Sequence, residues 1–300
     1  MSGRTFGDVI PGEELPAAEL TPFASLVRAY IEASRRERCI PYRARNRGSA
    51  AMRRFEGKVA LVTGAAAGIG RATALRLASE GASLYLIDRA REGVEETAKL
   101  CEAKGAKAVA AGCDVTKEDE VRAAVAACVD RFGRLDALCN IAGIILLQHF
   151  EKLTLEQFRR VLDVNLVGTF ILCQAALPHL LASRGAIVNT SSTSALAGLP
   201  YGAAYGTSKG GVSALTRTLA VEFGKKGLRC NAVNPGSIKT AMSGQGIMPE
   251  SPDLQLMART MSISKPQGPE VVASVIAMLA SEDGIHINGE EIRVDGGTLA

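Results

Sequence analysis

From Lys58 onward the chain alternates short apolar, β-rich runs with helical periods, and that alternation limits the fold more than any other feature. The runs fall at Val59–Thr63, Leu84–Asp88, Ala108–Cys113, Leu135–Ile141, Ala186–Thr190, Leu228–Val233 and Glu291–Val294. Between them lie helical periods at Ile69–Glu80, Glu92–Lys104, Glu118–Phe132, Leu155–Leu181, Tyr205–Phe223 and Pro269–Ala280. Strands buried on both faces read as continuous apolar runs, as these do. Strand–helix repetition requires parallel pairing with right-handed crossovers. The expected fold is α/β: a single doubly wound parallel sheet of about seven strands with helices on both faces.

Composition excludes several other classes. Apolar residues make up 47% of the 300, enough for a large core and too many for a disordered or fibrous chain. Lys and Arg exceed Asp and Glu by 35 − 31 = 4, which is no footprint for nucleic acid. Aromatics are 4% and Trp is absent, so base-stacking platforms are not expected. The seven Cys are odd in number, form no CxxC and mostly sit in apolar runs, which points to a reduced, cytoplasmic setting. His149, His179 and His286 are scattered without ligand spacing, so no metal site is expected. The longest apolar stretch, around Ile144–Leu147, is far short of a membrane span.

Residues 1–51 read as an Arg-rich extension or linker, and 52–300 as the single α/β domain. The first fifty residues hold eight Arg, no Lys and four of the eleven Pro. Leu20–Arg38 fits one helix and Cys39–Ala51 a linker. There is no apolar core of a secretory signal, and five Glu argue against a transit peptide. Met52 directly precedes the domain; an upstream start codon and a segment that packs on a neighbouring subunit are both consistent with that.

The first strand runs straight into Gly64-Ala-Ala-Ala-Gly68-Ile69-Gly70, and a helix follows. Glycines there permit a tight turn and close backbone approach to a pyrophosphate, with the anion at the helix N-terminus. The second strand ends at Asp88, eighteen residues after Gly70. A carboxylate there accepts from adenosine ribose hydroxyls and repels a 2′-phosphate. It also suits a helix N-cap, and the two roles are compatible. NAD(H) is favoured; Arg89 and Arg91 keep NADP(H) open. Asp114 ends the third strand, where an adenine contact and an N-cap are equally consistent. Asn140-Ile141-Ala142-Gly143 ends the fourth, and small residues there let backbone lie against a ribose.

Tyr205 and Lys209 stand at i and i+4 on one helical face. An ammonium beside a phenol is expected to lower the phenol pKa, as a general acid/base near neutral pH requires. Ser192 sits at the carboxyl end of the fifth strand, where ligands of open α/β sheets bind. Asn165 lies inside an apolar helical stretch, an unfavourable place for Asn. A water held by its carbonyl would need a local irregularity in that helix.

Taken together, Thr63-Gly64-x-x-x-Gly68-x-Gly70, Asp114, Asn140-Ile141-Ala142-Gly143, Asn165, Ser192, Tyr205-x-x-x-Lys209, Asn234-Pro235-Gly236 and Val294-Asp295-Gly296-Gly297 resemble the single-domain short-chain dehydrogenase/reductase family. The resemblance covers Phe55 to Gly297, about four fifths of the chain, with thirteen residues from Ser192 to Tyr205. It implies a Rossmann-type sheet and an enzyme interconverting a secondary alcohol and a ketone. The implied catalytic residues are Asn165, Ser192, Tyr205 and Lys209. Tyr205 would move the proton, Lys209 would tune it and hold the ribose, Ser192 would polarise the carbonyl, and Asn165 would anchor a water. The implied cofactor shell is Gly64, Gly68, Ile69, Gly70, Asp88, Asp114, Val115, Asn140, Ala142, Gly143, Tyr205, Lys209, Pro235, Gly236, Ile238 and Thr240. Ile141 stands where the family usually has a second Asn, which puts one buried hydrogen-bonding arrangement in doubt.

The stretch Ser237–Gly268 is expected to cover the substrate. It holds Met242, Met248, Met257 and Met261, four of the seven Met, which suit an adaptable apolar pocket or equally an ordinary helix pair. Tyr201, Ser194, Leu199 and Gln148 are further pocket candidates. A small apolar alcohol or ketone such as a hydroxysteroid is the expected substrate. Apolar residues on several faces of the two long helices, with the family resemblance, imply a homotetramer. The alternatives are a 3-oxoacyl-carrier-protein reductase-like enzyme using NADPH, another enzyme on the same scaffold such as an epimerase or dehydratase, and a non-catalytic NAD-binding regulator.

Overall fold

The computed structural model describes residues 53–240, 249–258, 260, 262–263 and 265–300. The helix expected over Leu20–Arg38 and the linker Cys39–Ala51 lie outside these, as do Met242, Met248 and Met261. Seven parallel strands form one sheet: β1 Val59–Thr63, β2 Ser83–Asp88, β3 Ala108–Gly112, β4 Ala137–Asn140, β5 Ala186–Thr190, β6 Arg229–Pro235 and β7 Glu291–Val294. Their order is β3-β2-β1-β4-β5-β6-β7. The doubly wound sheet expected from the alternation is present, and its order reverses between β1 and β4.

The helices are α1 Gly68–Ser79, α2 Arg91–Glu102, α3 Glu118–Phe132, α4 Leu155–Leu162, α5 Gly168–Ser183, α6 Ala203–Phe223, α7 Leu254–Ala258 and α8 Glu270–Ala280. Local chemistry sets their ends. Thr154 and Gln157 form a reciprocal capping box at the start of α4. Glu118, Asp119 and Glu120 open α3, and Gly133 closes it in the left-handed conformation at φ +76.

Strand side chains alternate between two core layers. Ala60, Val62, Leu84 and Leu86 pack with Leu77 of α1, Val94 of α2 and Ile276 of α8. Leu61, Ile87, Leu138 and Ile187 pack on the other face with Val121 of α3, Leu172 of α5 and Ala220 of α6. All of these core side chains are buried, which accounts for strands without a polar alternation.

Two expectations need correction. The single helix expected over Leu155–Leu181 is two helices joined by a π-helical turn, Asp163–Val167. The extra residue per turn accommodates Asn165, whose side chain faces inward and is fully buried. The same run, Leu155–Ser183, is also long and apolar enough to cross a membrane by length and composition, with an 18-residue mean hydropathy of 1.6. It exceeds the Ile144–Leu147 stretch taken as longest. In the fold its inward side, including Ile171, Leu172, Ala176 and Leu180, belongs to the sheet core.

Candidate active site

The carboxyl ends of the strands open into a cleft of about 830 Å³. β1 delivers the glycine turn to its floor. Gly64 has φ +66, and a Cβ there would come within 2.8 Å of the Ala142 nitrogen. Gly70 packs closer still, since a Cβ would lie 1.9 Å from the Gly64 carbonyl oxygen. Thr63 Oγ1 accepts from the backbone N–H of Ile141 and of Ala142, each at 2.9 Å. These contacts lock the β1 and β4 ends together at the point where the strand order reverses.

The N-terminus of α1 faces this cleft. Its first turn carries no acidic residue, and its N-cap Ala67 supplies no side-chain acceptor. Free backbone N–H groups there suit a pyrophosphate. At the rim, Asp88 accepts from Ala66 N–H at 3.0 Å and Ala90 N–H at 2.9 Å. Each carboxylate oxygen keeps a second lone pair for a ribose hydroxyl. Asp114 instead folds onto Thr116, accepting from its amide at 3.0 Å and its hydroxyl at 2.8 Å. The Thr116 amide is the main reason its pKa is lowered. Thr190 Oγ1, also on the wall, is buried without a partner. Glycines with no room for a Cβ, an uncapped helix end and a rim carboxylate fit a dinucleotide.

Further along, Ser192, Tyr205 and Lys209 line the same cleft. Lys209 is 4% exposed, and its Nζ lies 5.7 Å from the Tyr205 ring centroid. Burial lowers its pKa to about 8. Burial also raises the Tyr205 pKa, opposed by a hydrogen bond with the Ser192 side chain. The Lys209 ammonium donates to the Thr190 carbonyl at 2.6 Å. Ser192 is held from behind, because Asn234 Nδ2 donates to its carbonyl at 3.1 Å and to Glu291 Oε2 at 3.1 Å.

Of the expected residues, Asn140 and Asn165 do not line the cleft. Asn140 Nδ2 donates to Asn189 Oδ1 at 2.9 Å, inside the sheet layer. Asn165 Oδ1 accepts from Ile144 N–H at 2.8 Å, while its Nδ2 donates to the Ile144 carbonyl at 2.9 Å and to Ser208 Oγ at 3.0 Å. Its amide is thus a brace between the β4 loop and α6. Its carbonyl accepts the Thr169 hydroxyl at 2.8 Å. Ile141 lines the cleft, and its backbone N–H is satisfied by Thr63.

The apolar part of the cleft is lined by Ile144, Ile145, Ala197, Leu199, Met257 and Leu299 among others. Ser194 and Leu199 stand where expected, whereas Tyr201 and Gln148 do not line it. Ile144, Thr190 and the terminal Thr298 and Leu299 are lining residues that the sequence reading missed. No local pattern marks them, since each reaches the cleft through a long-range strand or loop placement. Among the described residues, no group of three or more His, Cys, Asp or Glu is placed to hold a metal ion.

A glycine-lined anion cradle at the switch point, with Ser, Tyr and Lys beside it on a doubly wound sheet, defines an oxidoreductase of the Rossmann-type class. Comparison with known proteins narrows this. A family model described as enoyl-(acyl carrier protein) reductase matches residues 64–298. The chain is 38% identical to levodione reductase of Leifsonia aquatica over 257 residues, covering 82% of this chain and 96% of that protein. A short-chain dehydrogenase from Mycobacterium paratuberculosis, solved bound to NAD, superposes with TM-score 0.77 at 32% identity, covering 82% and 98% of the two chains. One from Burkholderia cenocepacia, solved in complex with NADP, gives 0.75 at 34% identity, covering 82% and 100%. The chain belongs to the short-chain dehydrogenase/reductase family.

Proposed function

We propose that this enzyme interconverts a secondary alcohol and its ketone with NAD(H), on a small apolar substrate such as a hydroxysteroid. The observation that carries the reading is the convergence of Ser192, Tyr205 and Lys209 on one cleft with apolar walls beyond them. Tyr205 Oη exchanges the proton with the substrate oxygen, and Ser192 Oγ donates to that oxygen as charge develops. Lys209 supplies positive charge close to the phenol and holds ribose hydroxyls. Asn165 braces the Ile144 loop, and its carbonyl at the π turn anchors the water that serves Lys209. The glycine turn and the α1 N-terminus hold the pyrophosphate, with Asp88 at the adenosine ribose. When bound, the nicotinamide cofactor supplies the two-electron exchange.

NAD(H) is preferred over NADP(H) because the Asp88 carboxylate repels a 2′-phosphate. Six described cysteines are buried and unpaired, in keeping with a cytoplasmic setting. Val167 and Phe170 at α5 and Val221 on α6 are exposed large apolar residues, which supports a homotetramer built on these helices. Light scattering at the mass of one chain would overturn that assembly.

A second reading, a carrier-protein reductase using NADPH, draws on the matched family model and on Arg89 at the cleft rim. NADH and NADPH fluorescence titrations followed by a secondary-alcohol panel separate the two. Tighter NADH binding with turnover of an apolar alcohol supports the first reading. Equal or tighter NADPH binding with no alcohol turned over moves the second to the front.

A further inference from the structure

Tyr201 was expected in the pocket, but its side chain does something else. Its hydroxyl accepts from the Asp253 backbone N–H at 2.8 Å. Its carbonyl accepts from Gln148 N–H at 2.8 Å. Its ring meets that of His149 edge-on, with centroids 4.8 Å apart. His149 in turn donates from Nε2 to the Glu250 carbonyl at 2.7 Å, which places a ring proton on that nitrogen. Three segments distant in sequence meet at this point: the loop after β4, the loop after β5 and the stretch entering α7.

Tyr201 also sits at φ +63. A bulky residue persists in the left-handed region only where its surroundings hold it there. The residues on either side of the junction explain what is held. Leu199, two positions before Tyr201, lines one wall of the apolar compartment, and Met257 of α7 lines another. Asp253 leads directly into α7: its carbonyl accepts from Met257 N–H at 3.1 Å, and its Oδ1 from Gln255 N–H at 2.8 Å.

We propose that Tyr201, supported by His149, is a specificity-determining positioning residue that sets the spacing between the Leu199 and Met257 walls and thereby selects substrate size. The inference rests on the alcohol/ketone reading of the same cleft. Tyr201 touches neither substrate nor cofactor; it acts through Asp253 and α7.

The test compares wild type, Tyr201→Phe, His149→Ala and His149→Gln. Hydrogen exchange on the enzyme without substrate reads the junction directly. The Asp253 amide is protected in wild type and loses protection in Tyr201→Phe. His149→Gln, which keeps an N–H donor for the Glu250 carbonyl, retains more protection over 249–258 than His149→Ala. In turnover, Tyr201→Phe raises KM for a bulky polycyclic alcohol by roughly fivefold relative to cyclohexanol, the scale of one lost hydrogen bond. Its kcat and NADH affinity stay close to wild type. Unchanged protection of the Asp253 amide overturns the proposal. So does a KM shift equal for large and small alcohols, which would mark a structural role only. Loss of Asp253 protection with no alcohol turned over by wild type supports the junction but overturns the reaction assigned to the cleft.

Discussion

The Lys209 ammonium donates to the Thr190 carbonyl oxygen across 2.6 Å, joining α6 to the end of β5. One carbonyl is a small return for burying a charge, and the low pKa of about 8 expresses that cost. The charge is retained beside Tyr205 and Ser192, where the proposed chemistry uses it.

Replacing Lys209 by Met therefore stabilises the fold at neutral pH while removing activity. The folded pKa lies below the unfolded value, so the unfolded chain binds more protons between about 8 and 10.5. Stability of the wild type rises with pH through that window. Lys209→Met gains on the order of 2 kcal/mol at pH 7, allowing for the lost hydrogen bond, and the gain vanishes near pH 10.5. Urea unfolding at pH 7 and pH 10 checks this; a gain independent of pH would contradict it.

Tyr205→Phe removes the proton donor without changing the shape of the cleft. Turnover falls by about a hundredfold to ten-thousandfold, the usual range for a general acid/base. NADH fluorescence titration remains near wild type. Ser192→Ala follows the same pattern with a smaller loss, and its phenol pKa rises because the opposing hydrogen bond is gone. Stopped-flow turnover together with a pH profile separates the two.

Asp88→Asn shifts cofactor preference. An amide has one acceptor oxygen, so one of the Ala66 and Ala90 N–H groups loses its partner. NADH binding weakens by roughly tenfold, while repulsion of a 2′-phosphate disappears. The NADH-to-NADPH affinity ratio moves toward NADPH, and paired titrations measure it. An unaltered ratio would reduce Asp88 to a turn residue.

Thr63→Val leaves two half-buried N–H groups, of Ile141 and Ala142, without an acceptor. The cost is about 2–4 kcal/mol, or a fall in Tm of roughly 5–10 °C. Thr63→Ser keeps the oxygen and loses far less. Calorimetry on the two variants distinguishes the hydrogen bond from the lost methyl group.

Much of this architecture is legible in the residues alone. Short β-rich runs such as Val59–Thr63 and Ala186–Thr190, repeated between helical periods, suit doubly buried parallel strands. Gly64, Gly68 and Gly70 mark a backbone that must pass close to other atoms, and the i, i+4 spacing of Tyr205 and Lys209 holds on any α-helix. Periodicity and steric exclusion are local properties, so the order of residues carries them.

Other features arise from contacts between distant segments. The π turn at Asp163–Val167 positions Asn165 to brace Ile144, twenty-one residues away along the chain. Lys209 reaches the Thr190 carbonyl, nineteen residues away along the chain, only once α6 packs on the end of β5. Tyr201 leaves the pocket because Asp253 and His149 offer it partners that no spacing predicts. Burial and long-range hydrogen bonding depend on what the finished fold places around a group, and so they appear only once the chain has closed on itself.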